Sequence, residues 1–353
     1  MSTMRAFRVV EWGRPAELVE VPVPEPGPGQ VRVRVAGCGL CHSDLTMMAM
    51  DAAVGEALGW QKPFTLGHET AGWVDAVGPG ARVGGAATSE GLAVALISPA
   101  SCGACRWCRR GQENACAHGL AGRGYGRDGG LAEYVVVEDP ARSLVPLASL
   151  DPRIAGPLTD AGATSYHAVR RVMPHLSDDS TVVVIGIGGL GAFVVQILRA
   201  LSEARIVAVD VDPGRLDRAL GLGADHAVPG VDRETSRAVR AIVGPDPVDA
   251  VVDLVGNDDS LVVGTRLLSP GAALAVVGAG GGTLHKPWFG SLPRDGSVLT
   301  FQGSDLADAH GVVRLADEGR LVVDVDPYPL TEASAAYAAM ESGTLSGRAV
   351  VRP

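Results

Sequence analysis

Four cysteines in one short segment have the spacing of a metal site. In "SCGACRWCRRGQENAC" the pattern Cys-x2-Cys-x2-Cys-x7-Cys places them at Cys102, Cys105, Cys108 and Cys116. Four thiolates this close together in a reducing compartment suit a closed tetrahedral zinc site, which leaves no position open for a reactant. An iron–sulfur cluster is the main alternative, but neither ferredoxin spacing matches, and a pair of disulfides would be typical of a secreted protein. The segment predicts a structural zinc ion that holds a loop.

Two further cysteines, Cys38 and Cys41 in "GCGLCHSD", cannot complete a second site of four cysteines. Other ligands are available in "LGHE", which contains His68, and in "LTDAG", which contains Asp160. Alone, each is ordinary: a single His is more often a hydrogen-bonded residue, and a single Asp is usually a cap or a loop charge. The residues by themselves leave open whether the two cysteines form a redox pair, part of a zinc site, or one ligand beside a bystander.

A glycine-rich turn predicts a dinucleotide site. The motif "GIGGLG", with Gly186, Gly188 and Gly191 at its consensus positions, follows "VVVI" directly and opens a helical stretch. Asp210 ends the next predicted strand. The glycines allow a tight turn, close approach of a pyrophosphate and close packing of helix on strand. Asp210 can accept both ribose hydroxyls and would repel a 2′-phosphate, so NAD(H) is favoured over NADP(H). The alternative is a glycine turn beside a buried Asp.

The composition sets the frame for these sites. A chain of 353 residues is long for one hydrophobic core, so we expect two domains. With 46% hydrophobic and 20% charged residues the chain is typical of globular proteins. The net charge of -10 argues against nucleic acid or an anionic membrane as a partner. The N-terminus lacks the apolar region of a signal peptide, which predicts a cytoplasmic protein.

The hydrophobic patterns divide the chain into three regions. Residues 1–158 alternate short Val-rich runs with Gly and Pro turns, which predicts mostly β structure. Residues 159–303 alternate strands with helices, which predicts βαβ units and a parallel sheet. Within this region the uncharged run 180–198 is interrupted by glycines, so a strand, a turn and a helix explain it better than a membrane span does. Residues 304–353 close the chain with a helix, a strand and a further helix.

Taken in order, the motifs resemble those of a known family. "GLCHSD", "GHE", the four-cysteine segment, "GIGGLG" with Asp210, and "GRAV" at 347–350 follow one another as in the zinc-dependent alcohol dehydrogenases of the medium-chain dehydrogenase/reductase superfamily. The resemblance implies an α/β protein in which a GroES-like β-rich catalytic domain, 1–158 with 304–353, is split by a Rossmann NAD-binding domain, 159–303. The active site of that family lies between the two domains, and its members form homo-oligomers, so we expect a dimer or tetramer.

The same resemblance implies a set of zinc ligands. By position, Cys41, His68 and Asp160 correspond to the ligands of the catalytic zinc, with water or substrate oxygen in the fourth place, and Cys38 is a bystander. Together with the four-cysteine site this implies two zinc ions per chain. Much of the family has a second cysteine at the position of Asp160. An Asp at this position is found in a subset of bacterial NAD-dependent secondary-alcohol dehydrogenases. A carboxylate donates less electron density than a thiolate, which leaves zinc a stronger Lewis acid.

Further roles follow from position in the family. Ser43 corresponds to the hydroxyl that passes the alcohol proton to the cofactor ribose, and Thr46 stands where many relatives have a histidine, so the end of that proton relay is not assigned. Asp44 corresponds to a group that orients His68, and Glu69 to one near the metal. The implied cofactor contacts are His42 and Arg348 at the pyrophosphate, Thr164 at the nicotinamide, Arg215 near the adenosine ribose, and Gly189, Leu190, Val255 and Val277 along the dinucleotide. A solvated surface role is the alternative for His42, Arg348, Thr164 and Arg215.

The expected substrate is a small alcohol or ketone. The segment 47–60, rich in Met and Ala and ending at Trp60, is expected to line the mouth of the cleft, with Trp288 and Phe289 near it. An apolar pocket favours a secondary alcohol and ketone pair, with primary alcohols and aldehydes as the alternative. A zinc-free quinone reductase would not need Cys41, His68 and the four-cysteine site. A non-catalytic NAD-binding zinc protein would not need an open metal site, and a nucleic-acid-binding zinc module would need a basic face.

Overall fold

The computed structural model describes residues 2–119, 121–245, 247–285 and 287–353, with Trp288 described by its backbone alone. The chain forms two compact units, Met1–Ala163 with Gly303–Pro353, and Thr164–Gln302. The sequence prediction places the corresponding boundaries after residues 158 and 303. In the described part of the chain, no helix has the length and apolar character needed to cross a bilayer.

The elements follow one another in a β-rich first part, an alternating middle part and a mixed last part. The strands are β1 Thr3–Val9, β2 Glu17–Pro22, β3 Val31–Gly39, β4 Phe64–Thr65, β5 Glu69–Val77, β6 Arg82–Val83, β7 Ala86–Ala87, β8 Ala93–Leu96, β9 Gly122–Arg123, β10 Gly126–Arg127, β11 Tyr134–Val137, β12 Leu144–Pro146, β13 Thr181–Ile185, β14 Arg205–Asp210, β15 His226–Pro229, β16 Ala250–Asp253, β17 Ala273–Val276, β18 Ser297–Thr300, β19 Val325–Pro329 and β20 Arg348–Arg352. The α-helices are α1 His42–Met48, α2 Ala52–Ala57, α3 Pro140–Ser143, α4 Pro152–Ala155, α5 Ala161–Val172, α6 Gly189–Leu201, α7 Pro213–Gly221, α8 Arg233–Val243, α9 Asp258–Leu267, α10 Trp288–Ser291, α11 Leu306–Asp317 and α12 Ala333–Glu341. Short 3-10 turns cover Cys108–Arg110, Glu113–Ala115, Gly156–Thr159, Met173–His175 and Leu330–Glu332.

The first unit is built on a largely antiparallel sheet in the order β12-β8-β5-β3-β20-β19, with β11 also paired to β3. Because side chains alternate along a strand, the sequence "VRVRV" at the start of β3 places Val31, Val33 and Val35 together in the buried core. Because β3 and β5 are antiparallel with Gly39 opposite Glu69, the chain leaving β3 lies beside the chain entering β5. This register brings two segments together that are distant in sequence.

The second unit contains a parallel sheet in the order β15-β14-β13-β16-β17-β18. Every neighbouring pair is parallel, so all the carboxyl ends meet at one edge. The strand order reverses on either side of β13, and a reversal of this kind is where open α/β sheets bind ligands. The predicted alternation of strands and helices is present. The sequence analysis did not identify β15, in which only Val228 is buried, or the final strand β20.

Candidate active site

Three chemically different side chains converge in the first unit. Cys41 lies between β3 and α1, His68 immediately precedes β5, and Asp160 lies between the Gly156–Thr159 turn and α5. One ligand atom from each lies within 4.8 Å of the other two. The Nε2 atom of His68 is 3.5 Å from Oδ2 of Asp160. We call Cys41, His68 and Asp160 the mixed-ligand cluster.

The mixed-ligand cluster fits a zinc ion with one open position. Zinc bonds of 2.0–2.3 Å at tetrahedral angles separate the ligand atoms by roughly 3.3–3.8 Å. Burial lowers the pKa of His68, but Tyr125, Asp44 and Asp160 together raise it well above its usual range. Burial raises the pKa of Asp160, yet hydrogen bonding and charge from His68 lower it below its usual value. Both shifts arise from the acidic groups placed around His68, and a bound divalent cation would offset their negative charge.

Asp44 links several parts of the site and is completely buried. Its Oδ1 atom lies 3.1 Å from Nδ1 of His68, and among the described residues both atoms are buried without another hydrogen-bond partner. Its Oδ2 atom accepts hydrogen bonds from the backbone N–H of Cys41 and from the hydroxyl of Tyr337, both at 3.0 Å. Asp44 thus lies where a group that orients His68 was predicted. Tyr337 was not predicted, because a tyrosine in an Ala-rich helix carries no local signal.

Ser43 and an aromatic group lie beside the mixed-ligand cluster. The Oγ atom of Ser43 is 3.5 Å from Nε2 of His68 and 3.2 Å from Oη of Tyr125. The ring of Tyr125 lies over that of His68, with centroids 4.4 Å apart. Trp60, predicted in the substrate pocket, is buried and packs edge-on against Tyr125 at 6.2 Å. Tyr125 was missed, since its only sequence signal is its position between two glycines. Thr46 is exposed on α1.

Glu69 and Arg348 form a buried ion pair. The Nε atom of Arg348 donates to Oε2 of Glu69 at 3.0 Å, and a second contact joins Nη2 to Oε1. Oε1 also accepts a hydrogen bond of 3.3 Å from the backbone N–H of Ala161. Burial raises the pKa of Glu69 to about 7 although the charge of Arg348 lowers it. Arg348, which was predicted to contact the cofactor pyrophosphate, is therefore paired with Glu69.

Cys38 lies outside the mixed-ligand cluster. It pairs with Thr70 across β3 and β5, and its Sγ atom is 3.5 Å from the Thr70 hydroxyl. Burial raises the pKa of the Cys38 thiol to about 12. A protonated, fully buried thiol behaves as a small apolar side chain.

The four cysteines of the segment 102–116, which we call the cysteine lobe, also converge. Their Sγ atoms lie within 4.8 Å of one another, and three of the separations are 3.5, 3.9 and 4.0 Å. A tetrahedral zinc with bonds of 2.3 Å separates its sulfurs by roughly 3.8 Å. Backbone N–H groups of Cys108 and Ala117 lower the pKa of the Cys105 thiol to about 6. All six cysteines of the chain are free of disulfides, and the lobe fits a closed zinc site.

The glycine-rich turn of the second unit joins β13 to α6. Gly186 has φ +89°, and a Cβ atom there would lie 2.7 Å from the side chain of Val255. A Cβ atom on Gly191 would lie 2.0 Å from the carbonyl oxygen of Gly186, whereas one on Gly188 would meet open space. The first and last glycines are therefore required by the fold itself. The open space at Gly188, beside the start of α6 at Gly189, is suited to a phosphate group.

Asp210 is buried at the end of β14 and faces this turn. Its Oδ2 atom accepts a hydrogen bond of 2.6 Å from the backbone N–H of Ile187. Its Oδ1 atom accepts one of 2.9 Å from the backbone N–H of Asp212. Arg215 lies 3.9 Å from Oδ1. The carboxylate still has acceptor positions for a ribose, because each oxygen offers two lone pairs.

The remaining predicted cofactor residues are placed as follows. In the second unit Thr164 is buried, and the carbonyl of Leu190 accepts a hydrogen bond of 2.9 Å from Ser165. Val255 and Val277 donate backbone hydrogen bonds to the side chain and carbonyl of Asp253, at 2.9 and 2.8 Å. Asp253, not predicted, organises these turns. In the first unit His42 is exposed. The Trp288 side chain lies outside the described residues, and Phe289 is 80% exposed.

The chain matches two family models. Residues 27–149 match the alcohol dehydrogenase GroES-like domain, and residues 189–318 match the zinc-binding dehydrogenase model. It is 31% identical to the D-arabinose 1-dehydrogenase (NADP(+)) of Saccharolobus solfataricus, covering 100% of this chain and 99% of that protein. It is 34% identical to an NAD-dependent alcohol dehydrogenase of the same organism, covering 99% and 100%. The crystal structure of the Aeropyrum pernix alcohol dehydrogenase matches with a TM-score of 0.88 and 31% identity, over 99% of this chain and 100% of that one.

Proposed function

The chain belongs to the zinc-type alcohol dehydrogenases of the medium-chain dehydrogenase/reductase superfamily, and on that premise we propose that it interconverts secondary alcohols and ketones with NAD(H). The observation that carries the proposal is the mixed-ligand cluster, in which Cys41, His68 and Asp160 lie next to the hydroxyl of Ser43. Three protein ligands around one open position are typical of catalytic zinc sites.

Cys41, His68 and Asp160 would hold the catalytic zinc. When bound, zinc is a Lewis acid that polarises a carbonyl oxygen and lowers the pKa of an alcohol. Asp44 lies 3.1 Å from Nδ1 of His68, so it keeps the proton on Nδ1 and the lone pair on Nε2. The cysteine lobe would hold a second zinc with a purely structural role, which gives two ions per chain.

Ser43 is the proton-transfer residue of the proposal. Its Oγ atom lies 3.5 Å from the ligand atom of His68, close to where a reacting oxygen would bind. A hydroxyl can accept one proton while it gives up another, so Ser43 can take the proton of the substrate alcohol during oxidation and return it during reduction.

The second unit would bind the cofactor, whose nicotinamide ring accepts or supplies the hydride. Backbone N–H groups at Gly188 and the start of α6 would face the pyrophosphate, and Asp210 the adenosine ribose. An anionic Asp210 disfavours a 2′-phosphate, which supports NAD(H). Arg215 lies 3.9 Å from the same carboxylate, and one relative is named for NADP(+), so the ratio of NADH to NADPH efficiency is the quantity that tests this preference.

The surroundings of the cluster support an apolar substrate. The ring of Tyr125 lies over the ring of His68, and Trp60 packs edge-on against Tyr125, which places an aromatic wall beside the cluster. Such a wall suits the hydrocarbon parts of a secondary alcohol or ketone. Primary alcohols and aldehydes, which other members of the family use, are the second candidate class of substrate.

The test is a set of initial-rate measurements with ketones, aldehydes, diols and aldoses, each with both cofactors. We expect apolar ketones to be reduced with the highest kcat/KM and NADH to exceed NADPH by roughly a hundredfold, because an unpaired carboxylate facing a 2′-phosphate costs several kcal/mol. Equal efficiency with the two cofactors contradicts the NAD(H) assignment. Turnover of aldehydes or aldoses alone contradicts the substrate assignment.

A further inference from the structure

Tyr125 is held at the mixed-ligand cluster by the backbone on both sides of it. It stands between the short strands β9 and β10, and its neighbours Gly124 and Gly126 have φ of +79° and +75°. A Cβ atom on Gly126 would lie 2.4 Å from the ring of Trp60, and one on Gly124 would lie 2.7 Å from the backbone of Gly67. Only glycines allow the loop to approach this closely, so the loop carries Tyr125 directly to His68.

The contacts of Tyr125 join its hydroxyl to Ser43. The two oxygens are 3.2 Å apart, which is within hydrogen-bond range. Trp60 packs against one part of the Tyr125 ring and His68 lies under another, so the ring has little freedom to turn away. The hydroxyl is thus a fixed neighbour of the proposed proton-transfer residue.

The direction of this hydrogen bond matters for the chemistry. Either oxygen can donate at this distance. If Ser43 donated to Tyr125, its own proton would be engaged and could not be passed onward. If Tyr125 donates, it occupies one lone pair of Ser43 and leaves the other lone pair free to accept the substrate proton, with the Ser43 proton free to leave.

We propose that Tyr125 is a positioning residue for proton transfer: its hydroxyl donates to Ser43 Oγ and fixes the orientation in which Ser43 accepts and releases a proton. This inference rests on the proposed function, because it assigns Tyr125 a role through Ser43. None of the roles assigned to the chain from its family includes Tyr125.

A double-mutant cycle tests the role. Tyr125→Phe keeps the ring and removes the hydroxyl, so we expect kcat to fall about three- to tenfold with little change in KM, as for the loss of one hydrogen bond. Ser43→Ala should lower kcat by roughly a hundredfold. In the double variant, loss of the Tyr125 hydroxyl should have no further effect. A Tyr125→Phe effect that persists in the Ser43→Ala background overturns the proposal.

The matched control is Tyr134→Phe in β11, where the ring lies under the guanidinium of Arg32. Its kcat should stay within about twofold of the wild type, as expected for a substitution away from the site. A loss in Tyr134→Phe equal to that in Tyr125→Phe would show a general effect of removing a hydroxyl and would overturn the positioning role.

A second measurement does not depend on turnover. With 3-fluorotyrosine at position 125 of the full chain, the ¹⁹F resonance should shift on Ser43→Ala, while fluorotyrosine at position 134 should give an unchanged signal. An unchanged signal at position 125 would show that Tyr125 does not contact Ser43 and would overturn the proposal. Wild-type protein that oxidises no alcohol would contradict the proposed function, and the fluorine signal would still decide whether Tyr125 and Ser43 interact.

Discussion

The mixed-ligand cluster and the cysteine lobe both gather side chains that suit a zinc ion, but they take them from different parts of the chain. The lobe takes four identical ligands from one segment, 102–116, and several of them are partly exposed. The mixed-ligand cluster takes three different ligands from segments distant in sequence and places His68 in the buried interior. Four local thiolates close a site, whereas three dispersed ligands leave a position where a reactant can bind. This difference supports the proposal that the cysteine lobe stabilises a loop and the mixed-ligand cluster performs chemistry.

The two sites also differ in what surrounds them. In the cysteine lobe, backbone N–H groups are directed at the sulfurs, with Cys105 N–H 3.3 Å from Cys102 Sγ and His118 N–H 3.4 Å from Cys116 Sγ. Around the mixed-ligand cluster, side chains contact the ligand residues instead. The main one is Asp44, which contacts His68 and accepts a hydrogen bond from Tyr337. Side-chain support can be removed one group at a time by substitution, whereas backbone N–H groups cannot.

The largest effect is expected from Cys41→Ala. The variant should fold, retain about one zinc ion per chain and lose turnover by roughly a thousandfold or more, because Lewis-acid stabilisation is worth several kcal/mol. Metal analysis and steady-state kinetics measure both quantities. Full activity, or two zinc ions retained, would show that Cys41 is not a ligand.

Cys105→Ala should act on stability instead. A structural zinc site contributes folding free energy, so we expect loss of one zinc ion and a fall in Tm of roughly 10 °C or more, with lower soluble yield. Thermal unfolding and metal analysis compare this variant with Cys41→Ala. If Cys105→Ala lost activity at unchanged Tm, the division of roles between the two sites would be wrong.

Tyr337→Phe should have a smaller effect, confined to the mixed-ligand cluster. It removes the hydroxyl that donates to Asp44 and keeps the ring, which stacks on Phe7 at 6.0 Å. Outer partners of a ligating histidine affect metal affinity, so we expect roughly three- to tenfold easier removal of one zinc ion by a chelator. Tyr328→Phe, in β19, is the control and should release both ions as the wild type does. Equal release from the two variants would exclude a link through Asp44.

The smallest effect is expected from Cys38→Ala. Its thiol is buried against Thr70 and lies outside the mixed-ligand cluster. Both zinc ions and activity within about twofold of the wild type should be retained, with a modest loss of stability from the vacated volume. Loss of a zinc ion from this variant would exchange the roles assigned to Cys38 and Cys41.

Much of the fold was predictable. The matches to the GroES-like domain, the zinc-binding dehydrogenase model and the Aeropyrum pernix structure confirm the predicted fold class and family. The glycine turn after β13 was predictable because strand, turn and helix follow one another locally. β15 was missed because its short sequence "HAVP" has no clear alternation and takes its conformation from pairing with β14.

What the amino-acid sequence determined by itself is what short-range spacing controls. The cysteine lobe is an example, since the positions of Cys102, Cys105, Cys108 and Cys116 within one loop limit how far their sulfurs can separate. The positive φ of Gly186 is another, because it belongs to a turn between adjacent elements.

What only the tertiary structure decided is which distant side chains meet. Cys41 and His68 lie together because the antiparallel register of β3 and β5 places the end of one strand beside the start of the other. Tyr125 and Tyr337 reach Ser43 and Asp44 from other parts of the chain, and nothing in their local sequences indicates it. Such contacts depend on strand register and packing, which are set by the burial of the whole core and not by the spacing of neighbouring residues.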